Sequence, residues 1–148
     1  MKTFIISLIV FIAIATMATE TSRQNALQQD INGIQGTWKI EALEADGQPA
    51  PPQIVGTLKL VFKDDTLAFK PGEPGFTHYN YNLNPTVQPA GFAMTHADGT
   101  NIGESENGIY LLVGDRLKIC FGSGKQRPKE FTAGAGSGQS MYSLERER

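Results

Sequence analysis

Two histidines, one cysteine and a few acidic pairs are the residues of this chain that could do chemistry, and their spacing serves it poorly. His78 and His96 stand on different segments, with no second ligand a few residues away. Zinc sites gather three or four Cys, His or carboxylate ligands in close pairs, so no metal centre is expected. Ser137, in Gly136-Ser137-Gly138, lacks the strand, sharp turn and helix that expose a nucleophilic serine. No lysine and helix follow that loop, so it does not cradle a phosphate. Asp64-Asp65 and Glu104-Ser105-Glu106 read as solvated turns, short of the regularly spaced oxygen ligands calcium needs. Cys120 is either a reactive thiol or a small residue on the second face of a strand; Leu117, Ile119 and Phe121 alternate on the other face and favour the second. These readings predict no catalysis and no cofactor.

Binding is the better site expectation. The run from Phe76 to Leu83 reads as a strand with two unlike faces. Phe76, His78, Asn80 and Asn82 lie on one; Thr77, Tyr79, Tyr81 and Leu83 lie on the other. If the amide face lines a cavity, the ligand is an amphipathic molecule held by apolar walls and a few polar groups. If the tyrosine face points inward, it fills the interior and the amides meet water. Phe76, His78, Asn80, Tyr79, Tyr81 and Tyr110 are the candidate ligand-binding residues.

The elements that must position these residues are strands. Trp38, the only tryptophan, opens an alternating run in which Trp38, Ile40 and Ala42 share a face, and strand one is expected from Thr37 to Ala45. Asp46-Gly47 turns the chain, and Pro49, Pro51 and Pro52 make Gln48 to Gln53 a loop. Leu58, Leu60 and Phe62 form the inner face of strand two, and Asp64-Asp65 is a tight hairpin into strand three, with Leu67 and Phe69 inside. Pro71 to Gly75 is a loop. Further strands are expected at Phe76–Leu83, Ala90–Thr95, Gly108–Val113, Arg116–Phe121, Pro128–Phe131 and Gln139–Glu145, with a polar loop from Asp98 to Asn107 and a glycine-rich one from Ala133 to Gly138. Short strands joined by hairpin-length turns predict an all-β, antiparallel, up-and-down barrel of about eight or nine strands, a closure that removes exposed edges.

The N-terminus reads differently. Lys2, the apolar run Phe4 to Ala15 and the small residues after it form an export signal, with cleavage expected after Ala18. The expected organisation is therefore a signal peptide at 1–18, a polar leader at 19–35 and one barrel domain at 36–148. In the leader, Leu27, Ile31 and Ile34 fit one or two turns of amphipathic helix, which Asn32-Gly33 should break. An exported protein, periplasmic or secreted, follows, with no stable membrane span once the signal is removed. The formal net charge is −2, one unit more acidic without Lys2, and no basic block is evident, so nucleic acid is an unsuitable partner. A single cysteine allows no internal disulfide, leaving the core to hold the fold.

Several fragments together resemble one family. They are Ile34-Gln35-Gly36-Thr37-Trp38-Lys39-Ile40, Glu44-Ala45-Asp46-Gly47, Gly108-Ile109-Tyr110, Gly114-Asp115-Arg116-Leu117-Lys118-Ile119-Cys120, Arg127-Pro128-Lys129-Glu130-Phe131 and Leu144-Glu145-Arg146. In order and spacing they resemble a bacterial, planctomycete-type lipocalin-like domain family that is largely uncharacterised. The resemblance implies a lipocalin-like (calycin) barrel whose first-strand tryptophan plugs the closed end under an arginine of the last strand. Here those residues are Trp38 and Arg146. Arg146 can lie inside only if the face shared by Tyr142, Leu144 and Arg146 points inward, and the pattern leaves that open. The function expected is non-catalytic binding of a small apolar or amphipathic molecule. The alternative is a protein-interaction or inhibitor module with a filled barrel, using its loops on an exported partner.

Overall fold

A computed structural model describes the backbone of residues 2–71 and 77–148 and the side chains of 17–69 and 77–148. Its strands are β1 (Gly36–Ala45), β2 (Gln48–Pro49), β3 (Leu58–Lys63), β4 (Thr66–Pro71), β5 (Thr77–Asn84), β6 (Gly91–His96), β7 (Ser105–Val113), β8 (Arg116–Phe121) and β9 (Ser140–Arg146). From β3 onward each strand pairs antiparallel with the next, and β1 pairs with both β3 and β9. That second pairing closes an eight-stranded up-and-down barrel, and β2 is an extra strand on the end of β1.

Alternation decides what is inside. Leu60, Phe62, Leu67, Tyr79, Leu83, Phe92, Met94, Tyr110, Leu117, Ile119, Phe121 and Leu144 form the buried core with Trp38 and Ile40. Burying each large side chain is worth roughly 1.5–3 kcal/mol, which is what holds a domain without disulfides. The tyrosine face of β5 points inward: Tyr79 and Leu83 are buried, whereas His78, Asn80 and Asn82 are exposed. The amide face therefore does not line the lumen. Phe76 lies outside the described residues.

The first strand departs from simple alternation. A bulge between Ile40 and Ala42 inserts Glu41 without a partner and flips the face that follows. Ala42 consequently turns outward, contrary to the period-two expectation, and Leu43 packs inward opposite Tyr142. The loop at Gln48–Gln53 also holds more structure than its prolines suggest. Gln48 and Pro49 pair with the end of β1, a position where a missing N–H costs no ladder bond to a further strand. Pro52–Val55 forms a single helical turn, α2, and buries Val55.

Pro128–Phe131, expected as a strand, is irregular. It belongs to the 122–139 loop, which covers the outer face of β7 and β8. Cys120 and Ile109, paired across those strands, point outward and are fully buried beneath it, and the Cys120 thiol donates to the Thr132 carbonyl at 3.2 Å. Burial pushes the Cys120 thiol pKa up, as expected of an inert packing residue. The loop is tied down at Gly47, whose φ of +78° favours glycine and whose Cβ, if present, would lie 2.6 Å from the Ala135 nitrogen.

The leader is helical throughout. Helix α1 runs from Lys2 to Ile34 without a break at Asn32-Gly33. Its residues 17–26 are exposed, and only its last two turns dock, through Leu27, Ile31 and the fully buried Ile34. The docking contact and the capped carbonyls described below outweigh the helix-breaking tendency of one glycine, about 1 kcal/mol. Among the described residues, no helix is long and apolar enough to cross a membrane.

Candidate functional site

The two ends of the barrel are built from the same strands but filled differently. At the closed end, Trp38 is fully buried, and its indole N–H donates to the Ile34 carbonyl at 2.7 Å. The Arg146 guanidinium carbon stands 4.3 Å from the centre of the Trp38 ring. Its two terminal nitrogens donate to the carbonyls of Gly33 and Gln35, the latter at 2.6 Å, and Nε donates to Asp115 at 3.1 Å. A helix leaves its last carbonyls without partners and carries partial negative charge there. One indole and one guanidinium supply both the hydrogen bonds and the opposing charge. Leu144, one strand position above, is buried, so the face of Tyr142, Leu144 and Arg146 is the inner one. Arg148 and Arg146 hold the Asp115 carboxyl below its usual range.

Further groups pin the helix to the same end. The Tyr110 hydroxyl donates to the Asp30 carboxylate. Burial, and then that bond, raise the Tyr110 pKa. The Tyr81 hydroxyl donates to the Asp64 carbonyl at 2.9 Å and accepts from the Gln35 amide at 2.9 Å. Tyr81 and Tyr110 are thus engaged in holding α1.

Above them, aromatic rings fill the lumen. Phe92 meets Phe62, Tyr81, Tyr110 and Phe121 at centroid distances of 5.6–6.5 Å. Tyr142 meets Phe121 and Phe69 edge-on at 5.9 and 6.0 Å, and Phe69 meets Tyr79 at 5.5 Å. Such edge-to-face pairs add specific geometry to area burial.

At the open end the inward positions become polar. The row Phe92, Met94, His96 on β6 ends in a histidine, and the row Tyr110, Gly108, Glu106 on β7 ends in a carboxylate. His96 Nε2 lies 3.5 Å from Glu106 Oε1, with the imidazole largely covered. Its ring stands 4.5 Å from that of Tyr79. Burial, then the charges of Glu106 and Asp98, raise the Tyr79 pKa. Burial, Glu106 and Tyr79 push Tyr142 up to about 12. Both phenols therefore remain protonated donors at neutral pH. Beside them a hollow of about 490 Å³ opens between Thr77, Tyr79, His96, Asp98, Thr100 and Asn101. Asp98 shapes its rim: its carboxylate accepts the His78 N–H at 3.0 Å and contacts the His78 imidazole. These two bonds hold the Asp98 pKa low.

The candidate ligand-binding residues named from the sequence therefore do not converge. Tyr79 reaches the mouth, Tyr81 and Tyr110 sit at the closed end, and His78 and Asn80 face outward. The structure also brings His96, Glu106 and Tyr142 to the open end, none of which the sequence reading names as a ligand-binding residue. The signal was available, because His96 continues the alternation of Phe92 and Met94, and Glu106 continues that of Tyr110 and Gly108. Ending one strand at Thr95 and starting the next at Gly108 hid it. Among the described residues, no group of three His, Cys, Asp or Glu could hold a metal ion. No protein-family model matches the chain, and comparison with curated proteins and with solved structures found no match.

Proposed function

We propose that this is an exported, lipocalin-like binding protein without catalytic activity, which takes a small amphipathic molecule at the open end of its barrel. The observation that carries the reading is the change of character along the lumen: packed rings below, then the polar side chains of Tyr79, His96, Glu106 and Tyr142, of which Tyr79 and His96 line an open hollow of about 490 Å³. A ligand would rest its apolar part on the aromatic floor. Its polar group would accept from the phenols or donate to Glu106, a pattern usual for small-molecule sites. The export signal read in the first residues and the Trp38–Arg146 contact support the wider assignment. The test is native mass spectrometry of protein isolated gently from its own host, followed by titration with a lipid and metabolite panel. The expected result is an added mass that is lost on denaturation and weakened by His96→Ala and Glu106→Gln. A bare mass with no uptake would overturn the reading.

A second reading has its own support. The ring contacts from Phe62 to Tyr142 fill the interior, as they would in an interaction or inhibitor module that presents only its loops. Co-purification of a stoichiometric exported protein, released by substitutions in the Asp98–Asn107 segment, is the result that reading predicts.

A further inference from the structure

The amide face of β5 is turned away from the lumen, yet it is not a featureless surface. Register places Asn82 beside Ala93 and Ala93 beside Asn107, so two asparagines flank a small residue across three strands. One step along, Asn84 lies beside Gly91. Small residues on the middle strand and amides on its neighbours make a trough, since strands lie about 4.8 Å apart and only the flanking side chains rise. Its volume is about 350 Å³, and Arg127 closes one end. The guanidinium lies against the sheet over Gly91: a Cβ there would stand 3.2 Å from Arg127 Nη1 and 3.4 Å from the Asn84 Cβ. On the other side of Arg127 a second hollow of about 370 Å³ runs along the 122–139 loop, lined by both Lys129 and Glu130.

The polar atoms in this trough have assigned roles. The Asn84 side-chain oxygen accepts from the Thr86 N–H at 3.1 Å and the Thr86 hydroxyl at 2.7 Å, so its NH₂ group is left as a donor. The Asn107 NH₂ donates to the Lys125 carbonyl at 3.1 Å, so its oxygen is left as an acceptor. Among the described residues, Lys125, Arg127 and Lys129 enter none of the ion pairs. Lys125, Arg127 and Lys129, followed by the single carboxylate of Glu130, leave this segment net positive on a chain of net charge −2.

We propose that this groove binds an acidic oligosaccharide, a chain of hydroxylated sugar rings carrying carboxylates. Arg127 takes a carboxylate, for which its planar fork is suited. Asn82 and Asn107 take ring hydroxyls, which both donate and accept. The acceptor oxygen of Asn107 is what a bare anion cannot use, and Arg127 is what a neutral sugar does not need.

The test uses the full chain with assigned NMR signals, titrated with a tetrasaccharide of uronic acid units. Parallel titrations use its carboxyl-reduced neutral counterpart, sodium acetate, and a glutamate tetrapeptide. The expected result is saturable shifts of the Asn82 and Asn107 side-chain amides and of Arg127 Nε with the uronate alone, weakening as salt rises. Arg127→Gln should weaken binding at least about tenfold, the scale of losing a charge-assisted pair. Asn107→Ala should weaken it several-fold, as about 1 kcal/mol per hydrogen bond implies. Arg127 is exposed and Asn107 half-buried, and an unchanged thermal melt confirms that each variant is folded. Equal binding of acetate, the peptide or the neutral sugar would overturn the proposal, as would no saturable shift in the groove or indifference to Arg127→Gln.

Discussion

The closed end of the barrel spends its polar groups on the protein itself, and the open end does not. At the base, the Trp38 N–H, all three groups of Arg146, Gln35, Tyr81 and Tyr110 are committed to the last turns of α1 or to the turns beside it. At the mouth, His96, Glu106, Tyr79 and Tyr142 face inward with one ion contact of 3.5 Å between them. Both ends carry tyrosines with raised pKa values, so perturbed titration alone does not tell the two ends apart. What separates them is whether the polar atom already has a partner. If the comparison is right, substitutions at the base should cost stability and those at the mouth should cost little.

The largest effect is expected at Trp38. Trp38→Ala empties a fully buried site and removes the indole cap of the Ile34 carbonyl. A loss of roughly 3–5 kcal/mol is expected from denaturant melts, the range for truncating a large buried aromatic. A loss below about 1 kcal/mol would show that the closed end is not a structural keystone.

Arg146→Ala comes next. It leaves the Gly33 and Gln35 carbonyls without their charged donor. Leaving a buried acceptor unpaired costs about 1–3 kcal/mol, and these carbonyls are part-buried, so a destabilisation of about 1–2 kcal/mol is expected. The Trp38 emission should also shift to longer wavelength as water reaches the ring face that Arg146 covers. Arg146→Lys keeps the charge but loses the planar fork, and should recover only part of the stability. An unchanged spectrum with unchanged stability would mean that the stacked geometry contributes nothing.

How much of this was legible follows the physics of each element. The barrel strands were readable because Leu60, Phe62, Leu67, Leu117 and Ile119 alternate cleanly, and turns such as Asp64-Asp65 and Gly114-Asp115 are hairpin-length. The bulge at Glu41 was not readable, because one unpaired residue leaves no mark in composition and yet exchanges Ala42 for Leu43. The segment Pro128–Phe131 looked like a strand because Pro128 and Phe131 bracket a short run. It is instead part of an irregular loop, in which Pro128 is buried and Thr132, just after the segment, accepts from the Cys120 thiol, a tertiary arrangement with no local period. The helix end at Ile34 depends on Arg146, more than a hundred residues away, so Asn32-Gly33 misled. Choosing the inner face of β5 required the register with Leu67 and Met94, which a single strand does not carry.

Alkaline titration sharpens the comparison in a second way. A tyrosine whose pKa rises on folding keeps the folded state the more protonated one above pH 10. Its contribution is complete below the unfolded value near 10 and is lost as pH rises through the folded value. For Tyr142 that window runs from about 10 to about 12. Within it, stability should fall by up to about 1.4 kcal/mol per pH unit for each such group. Tyr142→Phe should flatten the slope by one proton while leaving stability at pH 7 nearly unchanged, since the hydroxyl at the mouth anchors no helix. An equal slope in the variant would assign the alkaline loss to the other tyrosines whose pKa is raised, Tyr79 at the mouth and Tyr81 and Tyr110 at the closed end.

The smallest expected effect is the most telling for the mouth. Glu106 is substantially exposed, its side chain at 44%, and its contact with His96 is long at 3.5 Å. Pairs of this kind contribute about 0–1 kcal/mol. His96→Ala and Glu106→Gln should each change stability by less than about 1 kcal/mol, and the double variant should cost about the sum. A loss above about 2 kcal/mol, or strong coupling in the double variant, would mean that the His96–Glu106 pair closes the mouth as Trp38 and Arg146 close the base. Small and additive losses would leave a histidine and a carboxylate held inside a barrel without a folding role. Such losses are what the proposed binding role expects of a partly exposed rim pair that the fold does not use for its own stability.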